Sequence, residues 1–364
     1  MFGNTGSRHR CKIEKLVSAT YIISPEQRIL VTGSSGFIGS RVVQILCEYG
    51  FKNIRCFVRP SSRLGHLESV LSGSGAVNPE LVKGDLLSTD DCVRATEGVA
   101  VVLHLAAGME KSFAGAFMNS ALATRNLMDA FLKYGQPKRF VNISSFAVYS
   151  NLHLKRGAML DETCPLEDAP QGRCDAYGFG KLKQEELVRH YGNQHKLPYV
   201  ILRPGAVFGP GKRDLSGRIG IDTFGFFIHL GGSNYLPLTF VDNCAEAIVL
   251  AGLIPGVDGE VFNVVDDELL TSRQFLRAYR KRTGSFAVSI PYPITSVLCL
   301  LWDKYAEWSQ YQLPPVFNRR RCSAEWKGNR YTNQKLKDRL GWQPRVSMRD
   351  AMSSFLAQFA HKSS

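Results

Sequence analysis

Short apolar runs alternate with amphipathic stretches along the first two thirds of the chain. Residues 28–32 and 54–58 are mostly apolar, and between them 36–48 repeats apolar positions at helical spacing. Strands that are apolar on both faces and alternate with helices are typical of a parallel sheet covered on both sides. The pattern therefore predicts an α/β fold with a Rossmann-type doubly wound parallel sheet. Further strands are expected at 81–83, 99–105, 139–144 and 199–203, and further helices at 112–134 and 177–195.

The alternation weakens after Pro204, where loops rich in glycine and proline begin. A helix at 241–253 and a strand at 260–265 then look like a return to the sheet. That interleaving predicts a lobe assembled from insertions rather than one clean boundary. We assign 28–204 plus about 239–264 to the Rossmann domain, and about 205–238 plus 265–364 to a smaller C-terminal substrate lobe.

The chain carries a formal net charge of +13, and such a charge attracts nucleic acid, anionic membranes or phosphate-bearing small molecules. Its cations are scattered apart from small clusters such as 319–321, and no helix-turn-helix or zinc-finger pattern is present. We therefore predict solvated surface and phosphate contacts, and no nucleic-acid partner. Residues 1–27 are also polar and basic, and we expect them to form a flexible N-terminal extension.

Cysteine usage and hydropathy bear on the compartment. The nine cysteines are widely spaced without a CxxC pair, so we predict no metal site, no disulfide framework and a cytoplasmic location. Residues 1–27 lack the apolar run of a signal peptide. The apolar stretch 294–302 is about half of the ~20 residues that a membrane span needs. We expect no span and interpret 290–302 as a buried or interfacial helix, with peripheral bilayer contact as an open alternative.

Three glycines stand where the first strand meets the first helix. The run TGSSGFIG follows a strand and opens an amphipathic helix, which is the context of a dinucleotide-binding turn. Glycine permits the tight turn, the approach of a pyrophosphate to the backbone and close helix–strand packing, while the helix N-terminus offers free N–H groups. The predicted contacts come from Gly33, Ser35, Gly36, Phe37, Ile38 and Gly39.

The second strand ends without the carboxylate that an NAD-preferring fold uses to bind the ribose hydroxyls. Arg59 stands there instead and would hold a 2′-phosphate, so we predict NADP as the cofactor, with NAD as the alternative. Asp85 is placed to hydrogen-bond the adenine. The remaining predicted contacts are Leu86 after the third strand and Ala106 and Ala107 after the fourth.

The spacing YxxxK occurs three times, at Tyr134/Lys138, Tyr177/Lys181 and Tyr331/Lys335. Only the second pair opens a long helix, where positions i and i+4 share a face, and it follows the Ser144-Ser145 end of the fifth strand, at the carboxyl edge of the sheet. Tyr177 would exchange the hydroxyl proton of a substrate while a hydride moves to or from the nicotinamide. The ammonium of Lys181 should lower the pKa of that phenol, and Ser145 should orient the substrate oxygen.

Together these segments resemble the extended short-chain dehydrogenase/reductase family, the NAD-dependent epimerase/dehydratase and 3β-hydroxysteroid dehydrogenase-like enzymes. The resemblance rests on TGSSGFIG, GDLL, HLAA, VNISSFAVYS, YGFGK, LRPGAVFGPG, TFVDNCAEAI and LGWQP. It implies that Ser145, Tyr177 and Lys181 form the catalytic site and that Pro204 and Gly205 lie by the nicotinamide. It also implies a homodimer formed by the helices at 112–134 and 177–195.

Two positions depart from the family pattern. The family's usual asparagine on the fourth helix falls at Ser120, with Asn119 one position early, and neither is assigned a role. Phe146 and Ala147 stand where 4,6-dehydratases carry an Asp-Glu pair. Because that acid and base are absent, we do not expect dehydration of a sugar.

Three functions remain open. We favour a nucleotide-sugar epimerase or reductase, whose diphosphate would bind Arg213, Arg218 or the arginines at 319–321. The alternative is a dehydrogenase of a sterol-like or lipid-like alcohol, with 290–302 lining an apolar pocket. The third is a non-catalytic sensor that only binds the dinucleotide, but the Ser, Tyr and Lys set argues against it.

Overall fold

The computed structural model describes residues 21–73, 79–108, 111–223, 226–310, 312 and 317–359. Its strands are β1 (Arg28–Thr32), β2 (Ile54–Val58), β3 (Glu80–Lys83), β4 (Val99–His104), β5 (Arg139–Ile143), β6 (Met159–Leu160), β7 (Tyr199–Pro204), β8 (Ala206–Phe208), β9 (Gly220–Thr223), β10 (Phe226–His229), β11 (Leu238–Phe240), β12 (Val261–Val264), β13 (Ala287–Ser289) and β14 (Arg330–Tyr331). Its helices are α1 (Gly39–Glu48), α2 (Gly65–Gly73), α3 (Thr89–Thr96), α4 (Phe113–Ala116), α5 (Ala123–Tyr134), α6 (Ala176–His195), α7 (Val241–Leu253), α8 (Ser272–Thr283), α9 (Tyr292–Trp308), α10 (Arg319–Trp326), α11 (Gln334–Leu340) and α12 (Met348–Ala357).

Seven strands form one sheet in the order β12-β7-β5-β4-β1-β2-β3. Every pairing in it is parallel, which confirms the predicted doubly wound sheet. The strand order reverses between β1 and β4, and ligands of such sheets bind in the crevice beyond the carboxyl ends of the strands. The predicted element ends differ from the observed ones by one or two residues along most of this domain.

Successive residues of β1 face the two layers of helices. Ile29 and Val31 pack with α1 and α7, whereas Leu30 packs with α3, α5 and α6. The alternation is the period-two geometry of a strand, and all three side chains are fully buried. Because both faces are covered, the strands read as continuous apolar runs rather than alternating ones.

The helix expected at 112–134 is interrupted. Between α4 and α5 the backbone forms a π-helical segment, Phe117–Leu122, which holds the buried Ser120. One such turn inserts an extra residue into the helix and frequently occurs at functional sites. This irregularity gives no signal in the apolar spacing, so the sequence pattern predicts a single helix.

The smaller lobe has its own sheets and core. Strands β9, β10 and β13 form one sheet and β8 pairs with β11, while α8 and α12 bury Phe275 and Phe355 against Phe208 and Phe240. Helix α9 extends to Trp308, beyond the predicted limit at 302. Within the described ranges, every helix falls short of the length and apolar character that a membrane crossing requires.

Two segments that were predicted to lie outside the Rossmann domain pack on its core. Residues 21–27, expected in a flexible extension, pack on the Rossmann core, where Ile23 is 4% exposed and Ile22 N–H donates to Leu253 O at 3.0 Å; residues 1–20 lie outside the described residues. Residues 334–342, expected in the lobe, place Leu336 and Trp342 in the same core as β1. The apolar surface of α7 accounts for both contacts, and the division elsewhere stays a prediction.

Candidate active site

The glycine turn between β1 and α1 is built on close backbone contacts. Gly33 has a φ of +68°, and a Cβ on Gly39 would lie 2.1 Å from its carbonyl oxygen, so no larger residue fits at 39. Gly36 is exposed at the apex, and a Cβ there would meet Gly33 O alone, at 3.1 Å. The outer face of the turn is therefore open, as a bound pyrophosphate at the start of α1 requires.

The three other predicted residues of the turn have distinct surroundings. Ser35, Phe37 and Ile38 are half-buried. The side chains of Phe37 and Ile38 pack against the apolar core of the smaller lobe. The turn is thus anchored to the lobe as well as to the sheet.

The ends of β2 and β3 meet beside the turn, where Gly84 N–H donates to Val58 O at 3.0 Å. Arg59 is exposed there, and no described residue pairs with its guanidinium. Asp85 is also exposed, with Oδ1 accepting from Leu87 N at 3.0 Å. The side chain of Leu86 is 8% exposed and packs in the core, and its contact with a cofactor stays a prediction.

The remaining predicted cofactor residues line the carboxyl ends of β4 and β7. Ala106 and Ala107 are half-buried, and Ala106 N–H donates to Thr32 Oγ1 at 3.2 Å. Pro204 ends β7, and a Cβ on Gly205 would lie 2.0 Å from Pro237 O. A glycine is therefore required at 205 by the approach of that loop, whatever binds above it.

Ser145 and Tyr177 come together at the end of β5. Tyr177 lies in the first turn of α6, which Asp175 caps by accepting from Gly178 N at 2.8 Å. Burial raises the pKa of the Tyr177 phenol above its usual value of 10, and a hydrogen bond with Ser145 lowers it in part. Ser145 Oγ also accepts from Ala147 N at 3.1 Å, which fixes the hydroxyl beside the phenol.

Lys181 lies one turn along α6 and is 3% exposed. Its ammonium donates to Ile143 O at 2.5 Å and lies 6.0 Å from the centroid of the Tyr177 ring. Burial lowers the pKa of Lys181 to about 7, and the charge of Glu185 opposes this. The ammonium is hydrogen-bonded to a backbone carbonyl, and the lowering of the Tyr177 pKa by Lys181 stays a prediction.

A buried ion pair supports the site from behind. Glu185 accepts from Arg203 Nε at 2.9 Å and from Arg203 Nη2 at 2.7 Å, and from Ser144 Oγ at 2.6 Å. Burial alone would raise the pKa of the Glu185 carboxyl, but the hydrogen bonds and charge of Arg203 hold it below its usual range. Arg203 Nη1 donates in turn to Tyr149 Oη at 2.9 Å.

The π-helical segment packs on α6. Ser120 Oγ accepts from Gly108 N at 3.2 Å, and a Cβ on Gly180 would lie 3.1 Å from the same oxygen. Gln184 Nε2 donates to Thr124 Oγ1 at 2.7 Å. Ser120, at the position of the family's asparagine, thus fixes the loop after β4 against the helix that carries Tyr177 and Lys181.

Tyr331 lies near the site, although its YxxxK spacing is not a catalytic pair. Its ring centroid is 5.6 Å from that of Phe146, which directly follows Ser145. Lys335 instead pairs with Glu260 at 2.8 Å. Burial raises the pKa of Tyr331, while the charge of Arg218 and a hydrogen bond from it act in the opposite direction. The sequence prediction missed this approach of Tyr331 and Arg218.

Carboxylates of the chain itself engage two of the arginines proposed for a diphosphate. Arg320 Nη1 donates to Glu167 at 2.6 Å and to Asp168 at 2.7 Å, and Arg321 Nε donates to Glu325 at 3.2 Å. Arg320 and Arg321 are thus already paired within the chain, whereas Arg213 and Arg319 are exposed. Arg218 contacts Tyr331, a residue packed on the site.

Comparisons with known proteins agree with this geometry. The model of the NAD dependent epimerase/dehydratase family matches residues 29–264. The 3β-hydroxysteroid-dehydrogenase/decarboxylase isoform 1 of Arabidopsis thaliana is 23% identical over 93% of this chain and 81% of its own length. The 2-alkyl-3-oxoalkanoate reductase of Stenotrophomonas maltophilia is 25% identical over 92% of this chain and 99% of its own length.

A solved structure supports the same fold. The UDP-glucuronic acid 4-epimerase of Bacillus cereus, in complex with UDP-glucuronic acid and NAD, is 22% identical with a TM-score of 0.68. The match covers 91% of this chain and 98% of that one. The chain therefore belongs to the NAD dependent epimerase/dehydratase family, the NAD(P)-dependent enzymes of the extended short-chain dehydrogenase/reductase type.

Proposed function

We propose that Ser145, Tyr177 and Lys181 catalyse reversible oxidation of a secondary alcohol. A dinucleotide held at the glycine turn between β1 and α1 would supply or accept the hydride of the carbinol carbon. Tyr177 takes the hydroxyl proton in oxidation and returns it in reduction, and Ser145 holds the substrate oxygen by its hydroxyl. Lys181 supplies positive charge one helical turn away, which favours the phenolate form of Tyr177 when the ammonium is protonated.

We further propose an apolar substrate that carries a carboxylate. One observation carries this proposal: the guanidinium of Arg218 contacts Tyr331, which packs on the apolar cluster next to Ser145. The cluster contains Phe146, Val148 and Leu160, with Tyr331 packed against it. One guanidinium matches one carboxylate. The half-buried Tyr331 ring beside it offers an apolar surface that matches a hydrocarbon skeleton. The names of the two relatives support the same substrate class. One is a 3β-hydroxysteroid dehydrogenase that is also a decarboxylase, and the other reduces a 3-oxoalkanoate.

Replacing Arg218 tests the substrate class. We expect Arg218→Met to raise KM for a 3-hydroxy acid of this type by about ten- to a hundredfold, since a hydrogen bond to a charged group contributes about 1.5–3 kcal/mol. The methyl ester of the same substrate should be turned over equally by both proteins. Steady-state rates with acid and ester provide the measurement, and cofactor binding verifies folding because Arg218 also donates to Ala324 O at 2.9 Å.

A nucleotide-sugar substrate is the second candidate. Two features favour it, the exposed Arg213 near Arg218 along the chain and the fold shared with a UDP-glucuronic acid epimerase. Thermal shifts with a panel of nucleotide-sugars and apolar 3-hydroxy acids separate the two candidates, because a ligand raises stability only if it binds the folded state. A shift with the nucleotide-sugars, lost in Arg213→Met and Arg218→Met, would replace the hydroxy-acid proposal.

NADP is our proposed cofactor, and it rests on Arg59. We expect Arg59→Glu to weaken NADPH binding about ten- to a hundredfold, because the variant loses a charge-assisted contact with the 2′-phosphate. NADH lacks that phosphate, so its Kd should change little. Titration of both nucleotides by fluorescence measures the difference. Lys133→Glu, exposed at the far end of α5, is the matched control, and equal losses for NADH and NADPH would contradict the proposal.

A homodimer also stays a proposal. Phe117 and Met118 are 46% and 47% exposed, and they project from the helical segment expected to form the interface. Burying apolar side chains of this size favours association. None of the eight cysteines of the described residues is in a disulfide, and the cytoplasmic location stays a prediction.

A further inference from the structure

Helix α9 presents an apolar face to solvent. Its side chains are about half to four-fifths exposed, from Tyr305 at 45% through Leu301 at 57% to Trp308 at 79%. Thr295, Cys299 and Ala306 on the opposite face are buried. We call the exposed face the α9 stripe, and it consists of Ile294, Val297, Leu298, Leu301, Tyr305 and Trp308. These positions follow helical spacing, and an exposed continuous apolar patch marks an interaction surface.

Helix α8, which precedes α9 in the chain, presents a basic face. Arg273, Arg277, Arg280 and Lys281 are exposed and line a cavity of about 490 Å³ that contains no carboxylate among its lining residues. None of these four side chains makes an ion pair with a described residue. We call them the α8 basic face. Four neighbouring cations without an anionic partner repel one another. An anionic partner would remove that repulsion, so the face is complementary to negative charge.

Strand β13 joins the two surfaces. Ser289 lines the cavity and stands three positions before the start of α9, while Phe286 and Val288 beside it are 67% and 42% exposed. Exposed apolar side chains therefore lie in the sequence between the basic face and the α9 stripe. Arg156 adds a cation at the start of α9, with its guanidinium 5.6 Å from the centroid of the Tyr292 ring.

Positive charge also borders the other end of the stripe. Lys304 is exposed within α9, and Arg319 follows Phe317, whose ring is 6.3 Å from that of Trp302. Arg319 N–H donates to Asp303 Oδ2 at 2.9 Å, which places this residue against α9. Asp303 and Glu307, the acids of α9, fall outside the helical positions of the stripe. Cations thus flank an apolar centre at both ends.

We propose that the α9 stripe and the α8 basic face bind an anionic lipid surface. A helix of this type lies in the plane of the interface, with apolar and aromatic side chains inserted and cations on the headgroups. A second copy of this chain is a poorer partner. In a two-fold dimer the same patch of both copies would meet, and the two basic faces would repel each other. An anionic bilayer satisfies both surfaces at once, and it would hold the lobe where apolar substrates dissolve.

Vesicle binding tests the proposal with the full chain. We expect it to sediment with vesicles of phosphatidylcholine and phosphatidylserine, less with phosphatidylcholine alone, and less at high salt. Each cation near the surface contributes about fivefold to affinity, so Arg277→Gln with Lys281→Gln should weaken binding to the anionic vesicles about 25-fold. Leu301→Ser with Trp308→Ser should reduce binding to both vesicles. The tryptophan emission of the unaltered chain should shift to shorter wavelength on binding, and the shift should be smaller in Trp308→Ser.

The matched control is Leu81→Ser with Lys83→Gln, since both residues are exposed on the edge strand β3. This variant should bind vesicles as the unaltered chain does. Equal loss in the control, or no sedimentation of the unaltered chain with anionic vesicles, would overturn the proposal. A dimer in sedimentation equilibrium that Trp308→Ser dissociates would overturn it as well, because the stripe would then belong to a second copy of this chain.

Discussion

Replacing Tyr177 by phenylalanine is expected to lower kcat by about two to four orders of magnitude, the contribution of a positioned acid–base group. The ring of the variant fills the same space in the first turn of α6, so the Kd of NAD(P) should change little. Ser145 Oγ keeps its hydrogen bond from Ala147 N at 3.1 Å, and the substrate oxygen keeps one partner. Steady-state kinetics and a cofactor titration measure the two quantities separately.

The chain offers a matched control for this variant. Tyr134 also stands four positions before a lysine, but it is 41% exposed at the end of α5, away from the crevice. Tyr134→Phe should retain full kcat. A Tyr177→Phe enzyme as active as this control would remove the proton-transfer role of Tyr177, and with it the proposed mechanism.

The second large effect concerns stability. Glu185→Gln should lower the free energy of unfolding by about 3–5 kcal/mol, because Arg203, 2% exposed, would keep a buried charge without its carboxylate partner. Glu185→Leu combined with Arg203→Met removes both charges and should recover most of that loss. Glu186→Gln is the control: its carboxylate is 61% exposed in a pair with Lys183, a class of pair that contributes about 0–1 kcal/mol.

Urea unfolding at neutral pH measures all three variants. A double variant as unstable as the sum of its single changes would show that the ion pair does not explain the loss. The same double variant has a second readout. Glu185 opposes the lowering of the Lys181 pKa, so its removal should shift that pKa further below about 7. The range of pH in which Lys181 is charged would then move to lower pH.

The Rossmann half was predictable because its signals are local. The β1–turn–α1 unit has its glycines between a strand run and a helical run, and Tyr177 and Lys181 open the next long helix after β5. The position of Glu185 also carries a sequence signal. It stands four positions beyond Lys181, on the same helical face, and a charged residue in a buried position needs a partner.

The contacts of Tyr331 left no comparable signal. Strand β14 has two residues and pairs with the equally short β6, with Tyr331 opposite Leu160. Strands this short lack a readable period. The π-helical segment is also too short for the spacing of its apolar residues to distinguish it from an α-helix. The exposure of Arg59 depends on tertiary packing, which the spacing of residues does not describe.

The place of Trp342 has a consequence for how the chain acquires its fold. Its side chain is fully buried in the same core as Ile29, and its indole N–H donates to Asn243 O at 3.0 Å. During synthesis, β1 to β12 leave the ribosome before this residue, and long-range contacts of this kind slow folding. The surface of α7 that Trp342 covers stays bare for several seconds of translation. The nascent chain should therefore need chaperone protection at a point when its nucleotide-binding turn has already been synthesised.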